Sequence, residues 1–260
     1  MQVIYVRHGS VGWNTVTVAA RLFARLFEAK YTEMTSLSAR RGFRRYLAAA
    51  PTIRRGETVL VIAPEPVDLY AIADLSRVWA RGATVAAWVV DSWWEDRIPR
   101  LARSGRHFDL LLVSEQENVA GWQRATGLPV HWFPQGTDAL ALGSGQAERP
   151  VVVQRVGRQP TTWEDDESNA LAAAQYRLTY GSRPPFSTTP EDSIRSLLNS
   201  MSLSRYVLAF SNASSPGPYT HPTREYLTSR WTDALSAGAV VACRRPRETA
   251  RRRPRSCPLA

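Results

Sequence analysis

With 260 residues, of which 44% are hydrophobic, the chain is long enough for two domains with cores of their own. It contains no apolar run of about 18 residues, so a membrane span is excluded and at most peripheral membrane contact is expected. The net charge of +10 is concentrated at one end: residues 244–260 hold seven arginines and one acid, Glu248, and so carry six of the ten charges, which argues against a dedicated surface for specific nucleic-acid binding.

Met1-Gln2-Val3-Ile4-Tyr5-Val6 reads as a first strand and lacks the basic start and long apolar core of a signal peptide, so a cytoplasmic location is expected. Strands and helices then alternate, the pattern of an α/β fold with parallel sheets. After the strand over Val3–Val6, His8-Gly9-Ser10-Val11-Gly12 is a turn. Thr15–Ala29 is an amphipathic helix, with Val18, Leu22, Arg25 and Leu26 near helical spacing. Tyr31–Leu37 reads as a strand, Ala39–Ala49 as a basic helix and Pro51–Gly56 as a loop. Thr58–Ala63 is a buried strand, and a helix over Val67–Arg81 follows it. Ala83–Val90 is the most apolar strand and ends in Asp91-Ser92-Trp93-Trp94. After a short helix come the strand Phe108–Val113, the helix Glu115–Ala125, the turn Gly127-Leu128-Pro129 and the strand Val130–Phe133. Pro134-Gln135-Gly136-Thr137-Asp138 is a turn in which Gly136 is expected to supply a positive φ and Asp138 an Asx turn.

Residues 139–150 are small and polar and read as a linker. The pattern restarts with the strand Val151–Val156, then helices over Glu164–Tyr176 and Glu191–Met201, the strand Tyr206–Phe210 and an irregular loop over Ser211–Pro222. Glu225–Ala242 reads as a helix, a glycine stop at Gly238 and a short buried parallel strand, with Leu227, Trp231, Ala234 and Leu235 on one helical face. Two acids, Glu225 and Asp233, bracket this helix with seven residues between them. They fit either a solvated face or a binding site. Cys243 and Cys257 belong to no metal-type cluster, and reduced thiols are expected. The Arg-rich stretch 244–260 has no apolar periodicity and reads as a disordered tail.

The spacing from Glu225 to Asp233, followed by a small-residue helix end, Gly238 and a Val-Val strand, resembles the donor-site motif of retaining, group 1 GT-B glycosyltransferases. That family usually has Glu at both positions, and Asp233 is one methylene shorter. Three further stretches are similar to the family in the same order: Phe108–Asp138 with its Pro-Gln-Gly-Thr-Asp turn, Val156-Gly157-Arg158 after the first strand of the second half, and Asp91 at a central strand end, where the family often has histidine. The lysine that often follows the family's Gly-Arg loop has no counterpart in residues 159–163.

The resemblance implies two Rossmann-like domains: residues 1–138 for the acceptor and 151–243 for a nucleotide sugar, the second incomplete because the pattern turns Arg-rich at Arg244. It implies glycosyl transfer from a nucleotide-diphospho sugar, with no cofactor or metal, to a small-molecule, glycan or lipid-linked acceptor. By the same resemblance Glu225 contacts the donor sugar and Asp233 the ribose hydroxyls. Gly157 and Arg158 form the loop that faces the diphosphate, where a guanidinium stabilises the charge on the leaving group, and without the family's lysine phosphate binding leans on Arg158, on backbone amides near Ser211 to Ser215, or on Arg230. Asp91 contacts the acceptor. Trp93 is either a sugar-stacking face or half of a buried pair. Gly9 and Gly12 allow close backbone approach after the first strand.

Two alternatives stand beside this. Tyr5-Val6-Arg7-His8-Gly9 resembles the Arg-His-Gly signature of histidine phosphatases, in which the His accepts a phosphoryl group, although His107, His131 and His221 do not occupy that family's second-His position. The other alternative is a truncated, non-catalytic remnant.

Overall fold

The computed structural model describes residues 1–35, 52–69, 82–98, 108–143, 145–217, 220–226 and 228–242. The predicted helix over 39–49, most of that over 67–81, residues 99–107, and Leu227, Cys243, Cys257 and the Arg-rich tail lie outside them. The chain divides into two compact units, Met1–Leu142 with Phe186–Arg195, and Gly143–Pro185 with Ser196–Ala260. The architecture is α/β, with one parallel sheet in each unit.

In the first unit, strands β1 (Gln2–Arg7), β2 (Lys30–Thr35), β3 (Thr58–Ala63), β4 (Thr84–Val89), β5 (Leu110–Val113) and β6 (Val130–Trp132) form a six-stranded sheet in the order β2-β1-β3-β4-β5-β6. Alternation along each strand divides the apolar residues between two buried faces. Val59, Val61 and Ala63 join Ile4, Val6, Val85, Val89 and Leu111 on one face, with Trp122 packed there. Leu60 and Ile62 join Val3, Tyr5, Trp88 and Val90 on the other.

Helix α1 (Asn14–Leu26) covers that second face through Val16, Ala20 and Ala24, spaced one helical repeat apart. Phe23 packs there as well; of the residues expected on the covering face, Val18 is buried but Leu26 is exposed. Helix α2 (Val119–Thr126) ends on Gly127 at φ 70°, the left-handed residue expected of a helix stop. The residues read as the start of a linker form a short helix, α3 (Ala139–Leu142), with Leu142 buried. Asp138 caps it by accepting from the Ala141 N–H at 3.3 Å. Gly136 is not among the residues with positive φ, so that expectation fails: the capped helix, not a left-handed glycine, ends the turn.

In the second unit, β7 (Val151–Arg155), β8 (Tyr180–Gly181), β9 (Ser204–Leu208) and β10 (Val240–Ala242) form a parallel sheet in the order β10-β9-β7-β8. Helix α4 (Asp166–Gln175) starts on Asp165, whose side chain accepts from the Glu167 and Ser168 N–H groups. Helix α5 is Pro190–Ser202, and helix α6 is Ser229–Ser236, which stops at Gly238 with φ 71°. Strand β10 pairs only with β9 among the described residues, and Val240 is exposed, so this strand is less buried than its composition predicts. Leu235 is exposed too; the helix buries Asp233 and Ala234 instead.

Both sheets wind alike. The first strand lies between the second and the third, so the chain reverses direction across β1/β3 in one unit and across β7/β9 in the other. At such a switch point the loops leave in opposite directions and open a crevice at the carboxyl ends of the strands.

Arg149 joins the ends of the second unit's helices. Its guanidinium donates to the carbonyls of Ser204 (2.7 Å), Ala237 (2.9 Å) and Met201 (3.5 Å). Arg149→Ala should destabilise this unit by roughly 2 kcal/mol, because carbonyls at two helix ends lose a charged donor. Urea unfolding followed by fluorescence of the second unit's tryptophans measures it.

Candidate functional site

The β1/β3 switch point holds a polar cluster. His8 follows β1, and its Nε2 lies 2.9 Å from Asp68 Oδ2. Asp68, only 5% exposed, also accepts from the Glu65 N–H at 2.9 Å. The Trp13 ring packs against the imidazole with centroids 5.1 Å apart. Burial works to lower the His8 pKa, but the hydrogen bond and charge of Asp68, with the charge of Glu65, outweigh it and raise the value above 6.5.

Carboxyls from adjacent strand ends complete the cluster. Burial, with the nearby charges of Glu65, Glu115 and Asp68, holds Asp91 well above the usual carboxylate range. Burial also raises Glu65 and pushes Glu115 up to about 7. Asp91 is thus at a strand end as expected, in an environment that favours its neutral form. Trp93 and Trp94 are 8% and 3% exposed, so they are the buried pair rather than a sugar-stacking face. The guanidinium of Arg97 lies over the Trp94 ring.

Gly9 is uncrowded and outside the left-handed region, so nothing in the protein itself requires glycine there. His8 and Asp68 form the pair that sequence reading missed. Their separation of 60 residues hides it, and only the adjacency of β1 and β3 brings it together.

The phosphatase resemblance does not carry over to this geometry. Arg7 turns away from His8 to pair with Glu33 on β2 at 3.3 Å. The carboxyls of Asp68 and Glu65 stand near His8, where that chemistry needs cations.

The β7/β9 switch point collects most of the second-unit candidates. Gly157 follows β7 with φ 62°, and a Cβ there would lie 2.3 Å from Arg230 Nε, so the guanidinium crosses directly over the glycine. Arg230 also donates to the Phe210 carbonyl at 3.5 Å, after β9. The loop after β9 is tied back to the first: Ser215 Oγ donates to the Gln159 carbonyl at 2.9 Å. Ser211 donates to the carboxylate of Glu225.

Glu225 does not lie on the helix, contrary to expectation. Asn212 donates to the Arg224 carbonyl and accepts from the Tyr226 N–H at 2.8 Å, which takes the backbone groups a helical turn would use. The helix therefore begins after Thr228, and Glu225 is set on an extended segment against the β9 loop. Asn212, 1% exposed, is a further residue that sequence reading passed over.

Arg158 is half-buried beside Gly157. Asp233 is only 2% exposed, which excludes the solvated-face reading for that acid and sets it inside the fold, three residues beyond Arg230 on the same helical face. Among the described residues no group of three or more His, Cys, Asp or Glu side chains is arranged to hold a metal ion, and no helix is long and apolar enough to cross a membrane.

No protein-family model matches the chain, and no curated protein matches it either.

The raised Glu115 pKa sets a pH dependence. In the unfolded chain this carboxyl ionises near its ordinary 4.5, whereas in the fold it ionises only near 7. The unfolded state therefore sheds its proton first, and stability falls as pH rises from about 4.5 to 7, then levels off. Glu115→Gln should raise stability at pH 8 by on the order of 2 kcal/mol and leave it unchanged near pH 4. Melting temperatures of parent and variant across that range check the sign.

Proposed function

We propose that the chain is a glycosyltransferase that takes its sugar from a nucleotide-diphospho donor held by the second unit. The observation that carries this reading is the convergence at the β7/β9 switch point of Gly157 with Arg230 and Glu225, about 70 residues later in sequence; Gly157 and Glu225 resemble donor-site positions of GT-B enzymes, and Arg230 is a candidate phosphate ligand. A left-handed glycine beneath a guanidinium provides backbone and charge at one place. A diphosphate is the group that such a pair suits. Arg158 and Arg230 stabilise the charge on the leaving nucleoside diphosphate, Glu225 contacts the donor sugar, and Asp233 is assigned to the ribose side. In this reading the units form the two Rossmann-like halves of a GT-B enzyme.

The first unit takes the acceptor, which is a small molecule, a glycan or a lipid-linked sugar, and Asp91 contacts it. The reaction takes place in the cytoplasm and uses no cofactor.

UDP-glucose, GDP-mannose and TDP-glucose test the reading. One of them at 100 times its Kd should stabilise the chain by about 2.7 kcal/mol, a rise of several degrees in melting temperature. Arg158→Ala should weaken that binding roughly 10-fold or more, through loss of a charge-assisted contact. Gly157→Val should abolish it, because the side chain displaces Arg230. A melting temperature unmoved by all three sugars overturns the reading, and binding without turnover identifies a non-catalytic remnant.

A further inference from the structure

Two buried polar residues in the loop after β9 hold Glu225, one by its backbone and one by its side chain. Ser211 and Asn212 are each 1% exposed. Asn212 Nδ2 donates to the Arg224 carbonyl at 2.5 Å, and Asn212 Oδ1 accepts from the Tyr226 N–H at 2.8 Å, so the chain is fixed on either side of Glu225. The Ser211 hydroxyl oxygen accepts from the Ser214 N–H at 3.3 Å. Its one proton is donated to Glu225 Oε1, because a carboxylate offers only acceptor sites. Glu225 Oε2 has no hydrogen-bond partner among the described residues, and the residue is half-buried rather than closed off.

The two contacts do different things. A glutamate fixed only at its backbone still samples several rotamers and turns its carboxylate about the last torsion. Such a group takes one hydroxyl or bridges two neighbouring ones. With Oε1 occupied by Ser211, that rotation is stopped and a single oxygen is presented in one direction. The carboxylate is then ordered before a ligand arrives, so binding does not have to order it.

Resting on the donor-site reading, we propose that Ser211 is a positioning and specificity-determining residue for the donor sugar. It occupies one carboxylate oxygen of Glu225 and leaves the other to accept from a single hydroxyl of that sugar. The donor class is thereby a sugar with a free hydroxyl at that place, and a sugar deoxygenated there leaves the oxygen without a donor. A nucleoside diphosphate alone brings no donor-sugar hydroxyl to Glu225, so its binding does not depend on Ser211.

The Ser211 hydroxyl is removable without undoing the loop. The Ser211 carbonyl still accepts from the Ser215 N–H at 3.1 Å, Ser215 Oγ still donates to the Gln159 carbonyl, and both Asn212 bonds remain. The test therefore uses the full chain and its Ser211→Ala variant, with Ser211→Cys, similar in size and a weak donor, in its place if the alanine variant does not fold. Calorimetric titrations are made with whichever of UDP-glucose, GDP-mannose and TDP-glucose raises the melting temperature, with its nucleoside diphosphate, and with the monodeoxy forms of its sugar. Ser211→Ala should weaken binding of the nucleotide sugar roughly 10-fold and leave that of the nucleoside diphosphate within about twofold, whereas a merely structural loss weakens both. One monodeoxy sugar should bind the parent roughly 10-fold less tightly than the full sugar, yet bind Ser211→Ala as tightly as the full sugar does. In a Glu225→Ala background, adding Ser211→Ala should cause no further loss, since the hydroxyl acts through the carboxylate.

Equal weakening of nucleotide sugar and nucleoside diphosphate, a nucleotide-sugar affinity within about twofold of the parent's, additive losses in the double variant, or two hydroxyls whose effects vanish together each overturn the proposal. In all four the parent still binds the sugar, and the donor reading stands. If no nucleotide sugar raises the melting temperature, the donor reading falls, and the role of Ser211 falls with it.

Discussion

The constraint on which this fold rests is parallel pairing of strands buried on both faces. Gln2–Val6 are each almost fully buried, with β2 on one side and β3 on the other and apolar layers above and below. A strand in that position has no wet surface along its length, so polar chemistry is confined to its ends. His8 becomes half-buried two residues after the last buried one, and every carboxyl of the cluster stands at or just beyond a strand terminus. The same confinement raises the pKa values of Glu65, Asp91 and Glu115, because burial beside a low-dielectric sheet, together with neighbouring acids, disfavours their charged forms.

The second unit meets the same constraint with less apolar material. Its core is a compact set around Val156, Met201, Val207, Ala234 and Ala239, and helix α4 buries none of its residues. Polar stitching adds to the packing: Arg149 across two helix ends, and Arg155, 4% exposed in its side chain, paired with Glu164 and with Asp166 at 2.9 Å. Burial opposes the charge on Arg155, and these two acids outweigh it. A site built on such a frame is positioned largely by hydrogen bonds. Asn212 and Ser215 act in this way, one fixing the segment that carries Glu225 and the other tying the loop after β9 to the loop after β7.

The two units differ in charge at their switch points although they wind alike. The first gathers carboxyls around a histidine, and the second gathers arginines over a glycine.

The sequence by itself determined the α/β class, nearly all of the strands and the glycine stop at Gly238, because these depend on local alternation and on a backbone conformation that one residue type adopts cheaply. Gly157 and Arg158 were singled out by their resemblance to a Gly-Arg loop placed just after a strand. Helix faces were read less well. Of the α1 residues expected on one face, Val18 is buried while Leu26 is exposed, and Val16, Ala20, Phe23 and Ala24 pack against the sheet. The end of the helix near Glu225 was misplaced because Asn212, far back in the chain, competes for the backbone groups that a local reading assigns to a helix. Tertiary structure alone decided the His8–Asp68 pair, the crossing of Arg230 over Gly157 and the burial of Asp233. Each depends on which strands become neighbours, and strand order in a parallel sheet is set by long crossovers that leave no periodic trace in the residues they join.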